Sequence, residues 1–337
     1  MIHNVHFFWQ RFKALESSLQ TLPVKTRMAR VNRLLKECGI ELIAEIYKEA
    51  PNEIIFTADG DVTLFEKVLK MAASAPRLQY FTIYPFRQAC DVTDLYLDWD
   101  NGLRLGHDDI LLDYSFEKRR FALTIATHKT IPEAILEEAQ YLVFLLLDYA
   151  LGEYEFETKV GRVVFEKDPV HLTKTLSISE FSQCYKEFWH QHLGHSGVYP
   201  EIDHQAWDWS SFELIDPYDS VPFLIRRNET ANALVGDPNY PYYVEITLPE
   251  SHEKSETFDR IRVLEEQVDE ALHRLRYAIH THSMRHHINT PRQTLGYYVS
   301  DVECINSLQQ KFVEFGPNLA IDYHYDPGWS HYLQFVE

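Results

Sequence analysis

Four histidines fall within eight positions in "HTHSMRHHIN", residues 280–289, and three more in "HQHLGHSG", residues 190–197. Imidazole is a frequent zinc ligand, so the first question is whether either tract has metal-site spacing. On a strand, His280, His282 and His286 share one face with Met284 and Ile288, and His287 points to the other. On a helix, only His282 and His286 meet, four apart, and they prolong the stripe of Leu272, Leu275 and Ile279. The strand reading agrees better with the turn at Thr290-Pro291 and the extended "QTLGYYVS" behind it. Zinc needs three or four ligands and outer acceptors that orient the rings, and no spacing here supplies the whole set. His190, His192, His195, His280, His282 and His286 are therefore the metal candidates, set against a simpler reading as polar positions on ordinary elements.

The tract at 190–197 resembles the H-x-H-x-D-H motif of metallo-β-lactamase-fold hydrolases, with Gly194 where the aspartate ligand belongs and a helical pattern, not a buried strand, ahead of it. Dinuclear hydrolysis clamps both ions in fixed geometry, so a lost ligand and a lost context weigh against it. "DLYLDWDNG" places Asp98 and Asp100 like the start of a calcium loop, but the glycine comes one position early and no closing glutamate follows; Asn101-Gly102 reads better as a hairpin turn. Asp108 and Asp109 beside His107 read as turn carboxylates. The chain has no dinucleotide or phosphate loop, no nucleophile elbow and no H-E-x-x-H, so the common local geometries of catalysis are missing.

Charge points elsewhere. A formal charge of −19 repels a phosphate backbone, makes direct nucleic-acid binding an unlikely role and favours a basic protein partner. One basic cluster interrupts the acidity, Lys25, Arg27, Arg30, Arg33 and Lys36, all set mainly opposite the apolar stripe of a helix. Lys25, Arg27, Arg30 and Arg33, together with Trp329, are the partner-binding candidates. Cys38, Cys90, Cys184 and Cys304 are far apart, which signals neither a disulfide framework nor a thiolate zinc site and suits a reducing cytoplasm. No stretch reads as a signal peptide, and "YLVFLLL" at 141–147 ends at Asp148, too short for a bilayer, so no membrane role is expected.

The elements that must position these residues follow from periodicity. Two amphipathic helices open the chain, one with Val5, Phe8, Trp9, Phe12, Leu15 and Leu19, the next with Val24, Met28, Val31, Leu35 and Cys38. Strands around Pro51-Asn52, a helix closed by Pro76, a strand at "QYFTIYPF", a hairpin at Asn101-Gly102, two strands, a helix from Pro132 to Leu151 and a strand at "FETKVGRVVFE" complete what reads as one open antiparallel sheet with helices on one face. Ile178, Phe181, Tyr185, Phe188 and Trp189 mark a connecting helix. Beyond it come strands at "SSFELID", "VPFLIRR" and "PYYVEITLP", a helix striped from Ile261 to Ile279, further strands, a short helix at "CINSLQQKF" and a last strand at "LAIDYHY".

The second half, through "WDWSSFEL", "LEEQVDEAL", "MRHHINTPRQTLGYYVSD" and "DPGWSHYLQF", resembles family 695 of the bacterial domains of unknown function over Trp207 to Glu337. Its most specific part is the D-x-x-W-x-x-Y pattern of Asp326, Trp329 and Tyr332. The resemblance implies an α/β sandwich of ferredoxin-like type and no catalytic residue. Some members are fused to a domain resembling the protein inhibitor of ribonuclease E, which hints at regulation through protein binding.

The expected fold class is α+β, two two-layer α/β sandwiches of ferredoxin-like type with antiparallel sheets: an N-terminal domain over 1–170, a helical connector over 171–200 and a C-terminal domain over 201–337. The expected function is non-catalytic regulation or protein interaction without a cofactor, an acidic surface engaging a basic partner that could itself process nucleic acid. The alternatives are a metal-dependent hydrolase using the clustered histidines, and a small-ligand site between the domains lined by Trp207, Trp209 and Trp329.

Overall fold

The computed structural model describes residues 2–47, 49–99, 102–193, 199–200, 207–215, 222–248, 263, 266–267, 270, 278–286, 293–312 and 320–336. It is an α+β protein whose chain divides into two compact units, Met1–Ser115 with Phe121–Lys186, and Phe116–Arg120 with Glu187–Glu337. No described helix is long and apolar enough to cross a membrane.

The first unit opens with α1 (Ile2–Gln20) and α2 (Val24–Glu37). The α1 stripe buries Val5, Phe8, Trp9, Phe12 and Leu19, and the rings of Phe8 and Trp9 meet Phe56 edge-on. Phe56 lies between Ile43 to Glu45 (β1) and Thr82 to Pro85 (β3), in β2 (Glu53–Thr57). As the central strand with both faces covered, β2 buries Ile54, Ile55 and Phe56 in succession. Helix α3 (Phe65–Ala73) returns the chain so that β2 and β3 run parallel, with Glu53 opposite Thr82.

The strands of residues 1–170 do not share one antiparallel sheet, which corrects the expectation from periodicity. Besides β1-β2-β3 they form a hairpin, β4 (Tyr96–Asp98) with β5 (Arg104–Gly106), and a sheet in which β7 (Arg120–Thr127) lies between β6 (Ile110–Glu117) and β8 (Val160–Phe165). The ladder between β7 and β8 is parallel, because α4 (Leu136–Leu151) and α5 (Glu153–Lys159) carry the chain back between them. Alternation is silent about strand direction, which is why pattern reading missed both parallel ladders. The "FETK" half of the expected eighth strand is helical as well, since Gly152 turns the chain at φ +90 and sends it into α5. The first turns of α6 (Ile178–Leu193) belong to the same core: Phe181 packs on Tyr114 and Phe121 at 5.6 and 5.7 Å.

The second unit is one antiparallel sheet, β9 (Trp209–Ile215), β10 (Pro222–Asn228), β11 (Tyr242–Leu248), β12 (Ala278–His286), β13 (Gln293–Val299) and β14 (Ala320–Tyr325), in the order β14-β11-β13-β12-β10-β9. One face buries Tyr242, Val244, Leu295, Tyr297 and Val299 against Ile305 of α7 (Val302–Phe312). The other buries Tyr243, Ile279 and Tyr298 against Trp329 and against Tyr332 and Leu333 of α8 (Ser330–Leu333). Covered on both sides, β13 buries every residue. The helix expected over 261–279 lies mostly outside the described residues, and its last residue, Ile279, is in β12.

A bulge in β12 changes what the histidines can do. His280 pairs with Tyr297 and His282 with Gly296, so Thr281 is the extra residue and strict alternation stops there. His280 stacks on Tyr297 at 4.4 Å on one face, and His282 lies on the other beside Tyr243. The two imidazoles that alternation placed together thus point apart and cannot share an ion. The ring of His282 occupies the space where Gly296 has no side chain, since a Cβ there would fall within 2.7 Å of Nδ1. Gly296→Ala is therefore expected to cost about 1–3 kcal/mol in urea denaturation through overpacking. Adding His282→Ala should remove most of that penalty, and an unchanged penalty in the double variant would show that the strain lies elsewhere.

Candidate functional site

The strongest concentration of perturbed groups surrounds Arg87, a residue that no motif singled out. It follows the C-terminal end of β3, where Phe86 turns the backbone at φ +62, and faces the parallel end of β2, where Asp59 has φ +54. Strained backbone at the carboxyl ends of parallel strands is a recurrent setting for sites. The buried guanidinium donates from Nη2 to Glu45 Oε1 at 2.8 Å and to Asp59 Oδ1 at 2.6 Å, and from Nη1 to Asp148 Oδ2 at 2.8 Å. Glu153, fully buried at the start of α5, accepts from the backbone N–H groups of Ala58 at 3.0 Å and Arg87 at 3.1 Å. Glu157 is one turn further along α5, with its carboxylate against Gly60.

Three carboxyl groups thus share one guanidinium, with Glu153 on the Arg87 backbone N–H and Glu157 beside Glu153, and the proton affinities of Asp148 and Glu157 rise. Burial, reinforced by the charges of Glu153 and Glu157, pushes Asp148 up to about 8 in spite of Arg87. Burial and Glu153 push Glu157 up to about 7. Asp148 is 4% exposed, and among the described residues its Oδ1 has no hydrogen-bond partner. Two carboxyls that titrate near neutrality could in principle serve as acid and base. Asp148, however, is enclosed and cannot touch a bound molecule, which leaves half-buried Glu157 without that partner at a surface.

The groups that face outward are Asp59 and Glu45, both partly open, and two aromatic rings. Tyr141, 37% exposed, donates its hydroxyl to Asp59 Oδ2 at 3.0 Å, and burial with the Asp59 charge raises that phenol to about 12. Its ring lies edge-on to Trp99, 36% exposed, at 5.5 Å. Asp91, Asp94, Asp98 and Asp108 are exposed on and beside the β4–β5 hairpin that carries Trp99. Glu133 and Glu137 are exposed as well and Glu138 and Glu155 half-buried, whereas Asp148, Glu153 and Asp109 are buried and add nothing to this surface. The result is an acidic surface with exposed aromatic rings.

The residues expected to bind a partner have different places. Lys25, Arg30 and Arg33 are exposed on α2, but Arg27 is 4% exposed. Its guanidinium donates to the carbonyls of Leu19, Gln20, Leu22 and Pro51, so it closes the open C-terminal end of α1 rather than meeting a partner. Trp329 is fully enclosed, stacked on Tyr298 at 4.1 Å with Nε1–H donating to the Tyr240 carbonyl at 3.1 Å, which makes it core. Trp209 carries Arg226 over its ring at 4.5 Å, and Trp207 lies 6.0 Å from Trp209. Asp109 is tied to Gly106 N–H and to Lys129, and Asp98 faces Arg104 across the hairpin, so neither acidic tract forms a cage.

Among the histidine candidates, His190 and His192 fall in α6 and His286 in β12, with side chains outside the described residues; His195 and His287 lie outside them altogether. Among the described residues no group of three or more His, Cys, Asp or Glu is arranged to hold a metal ion. His282 is wholly buried, and that burial, with His280 and His331 near, lowers it to about 3, so the ring is neutral at ordinary pH. Its partners are the hydroxyls of Thr281 at Nδ1, 3.1 Å, and Tyr243 at Nε2, 3.3 Å. Thr281 already donates to the Gly296 carbonyl, so Nδ1–H donates to the Thr281 hydroxyl, while the Tyr243 hydroxyl faces both Nε2 and Glu245 Oε2, the latter at 3.4 Å.

The D-x-x-W-x-x-Y pattern is a closing device. Asp326 accepts from Tyr298 Oη at 2.6 Å, from the backbone N–H groups of Ser330 and His331 at 2.9 Å each, and pairs with His331 Nδ1 at 2.9 Å. Burial opposes its ionisation, but these hydrogen bonds outweigh it and hold the carboxyl well below the usual carboxylate range. The bond to Asp326 raises His331 in turn.

No protein-family model, curated protein or solved structure matches the chain.

Asp148 and Glu157 set the pH response of the first unit. Both folded-state affinities lie above those of free carboxyls, so the stability they allow is complete below about pH 4 and is lost as pH rises toward about 8. Calorimetric unfolding between pH 5 and pH 9 should show a falling first-unit transition, and Asp148→Asn should flatten the fall. A slope untouched by Asp148→Asn would mean that Arg87 keeps Asp148 ionised throughout.

Proposed function

We propose that this protein is a non-catalytic, cytoplasmic interaction or regulatory protein whose acidic, aromatic surface on the first unit engages a basic segment of a protein partner. The observation that carries the reading is the exposed Trp99–Tyr141 pair, anchored through the Tyr141 hydroxyl to Asp59 at the mouth of the carboxylate cluster. An arginine of a partner can lay its guanidinium on an aromatic face and reach a carboxylate with its fork, and Trp and Tyr are the residue types that concentrate binding energy at interfaces. Arg87 offsets part of the charge of Glu45 and Asp59, so the negative charge offered to an external cation comes chiefly from exposed Asp91, Asp94, Asp98 and Asp108. The resemblance of residues 207–337 to family 695 belongs to the same proposal: it supports a regulatory role, a ferredoxin-like reading of the second unit and a partner that itself handles nucleic acid.

Calorimetric titration with nona-arginine is the direct test. Binding should weaken steeply with added salt, and Trp99→Ala, which leaves the charge unchanged, should weaken it about tenfold, the size of a modest interface anchor. Equal affinity in the parent and in Trp99→Ala would reduce the interaction to general charge attraction and remove this surface as the site.

A further inference from the structure

The basic residues of α2 face a feature that the acidic surface does not explain. Between α1 and α2 lies a groove of about 460 Å³. Leu15 of α1 with Ala29 and Leu34 of α2 supplies its apolar lining, and Arg11, Arg30 and Arg33 supply guanidinium groups. The spacing explains the convergence: 11 and 15 are one turn apart on α1, and 26, 30, 33 and 37 follow one face of α2. Glu37 also lines the groove, but its carboxylate is already paired with Arg11 at 2.6 Å. Among the described residues no carboxylate forms an ion pair with Arg30 or Arg33, although the chain carries 51 acidic residues against 32 basic ones.

We infer that this groove binds a small amphipathic anion, a flat apolar body carrying one phosphate or carboxylate head. The volume lies in the range of small-molecule sites, roughly 300–1,000 Å³. Apolar residues lie beside two guanidinium forks that have no carboxylate partner among the described residues, the group that recognises a planar or tetrahedral oxyanion by paired hydrogen bonds. A polyanion is disfavoured, because beyond the groove it would meet a surface of net charge −19. A short ligand confined to the groove avoids that repulsion. The inference is independent of the acidic surface, since it uses different residues and the opposite ligand charge.

The test uses the full chain and four probes by calorimetric titration: 1-naphthyl phosphate, 1-naphthoate, 1-naphthol and inorganic phosphate. At least one naphthyl anion should bind one per chain, at least tenfold tighter than naphthol and inorganic phosphate, and the better of the two identifies the head group. The Arg30→Ala/Arg33→Ala variant, altered only at exposed positions, should lose at least tenfold in affinity. Leu15→Trp, which fills the groove and keeps both arginines, should block binding while the helical circular dichroism stays unchanged. Absence of saturable binding by either naphthyl anion, equal binding of naphthol, or affinity unchanged in both variants would overturn the inference.

Discussion

The first unit depends on one buried cation. Arg87 joins the end of β1 through Glu45, the turn after β2 through Asp59, and the last turn of α4 through Asp148, while its own backbone N–H holds Glu153 of α5. A guanidinium can serve several acceptors because its donors form a fixed planar fork and it does not deprotonate. That one positive charge is shared by three carboxyls, of which only Asp148 is enclosed. Burial and neighbouring acids raise Asp148 in spite of the cation, and burial with Glu153 raises Glu157. Removing Arg87 would leave several uncompensated acids inside the unit, which is far more damaging than neutralising one of those acids.

The second unit closes in a comparable way with the signs reversed. There an anion, Asp326, gathers donors from Tyr298, from the Ser330 and His331 amides and from the His331 ring, three at Oδ2 and one at Oδ1, and these bonds favour ionisation. Trp329 takes a left-handed backbone conformation at φ +58 so that its indole can reach Tyr298 while the chain turns into α8. Tyr332 then donates to the Asn228 carbonyl at 2.9 Å and fastens the helix to β10. The three spaced residues of the motif therefore have a shared structural purpose, and none of them is left to meet a partner.

Sequence periodicity was a good guide where one side of an element meets the core. The α1 stripe, the β4–β5 turn at Gly102 and the strand character of β12 follow from it. It failed where tertiary structure changes the period or the partner. Alternation predicts His280 and His282 together, and a single inserted residue, Thr281, separates them. Arg27 sits among exposed basic neighbours in sequence, and only the folded chain shows the carbonyls that draw it inward. The Arg87 cluster draws on residues up to 108 positions apart, from Glu45 to Glu153, and so has no local motif. One trace of it was visible: Asp148, a lone charge inside "YLVFLLLDYAL", where an apolar helix has no reason to carry a carboxylate unless a buried cation waits for it.

The charge distribution adds a constraint that composition conceals. A net charge of −19 suggests a uniformly acidic surface, yet the acids of residues 88–112 and 130–158 are strongly segregated from the arginines of α1 and α2. Such separation has a cost in isolation, because mixing the signs would lower the self-repulsion of each patch. Among the described residues, Asp91, Asp94 and Asp108 beside the Trp99–Tyr141 pair are exposed and make no ion pair, and in the groove the one lining carboxylate, Glu37, is taken by Arg11, leaving Arg30 and Arg33 without a carboxylate partner. Each patch retains an electrostatic potential available to something other than the chain itself. Letting these charges meet would remove that potential, and it is on this potential that the two proposed ligands of opposite sign rest.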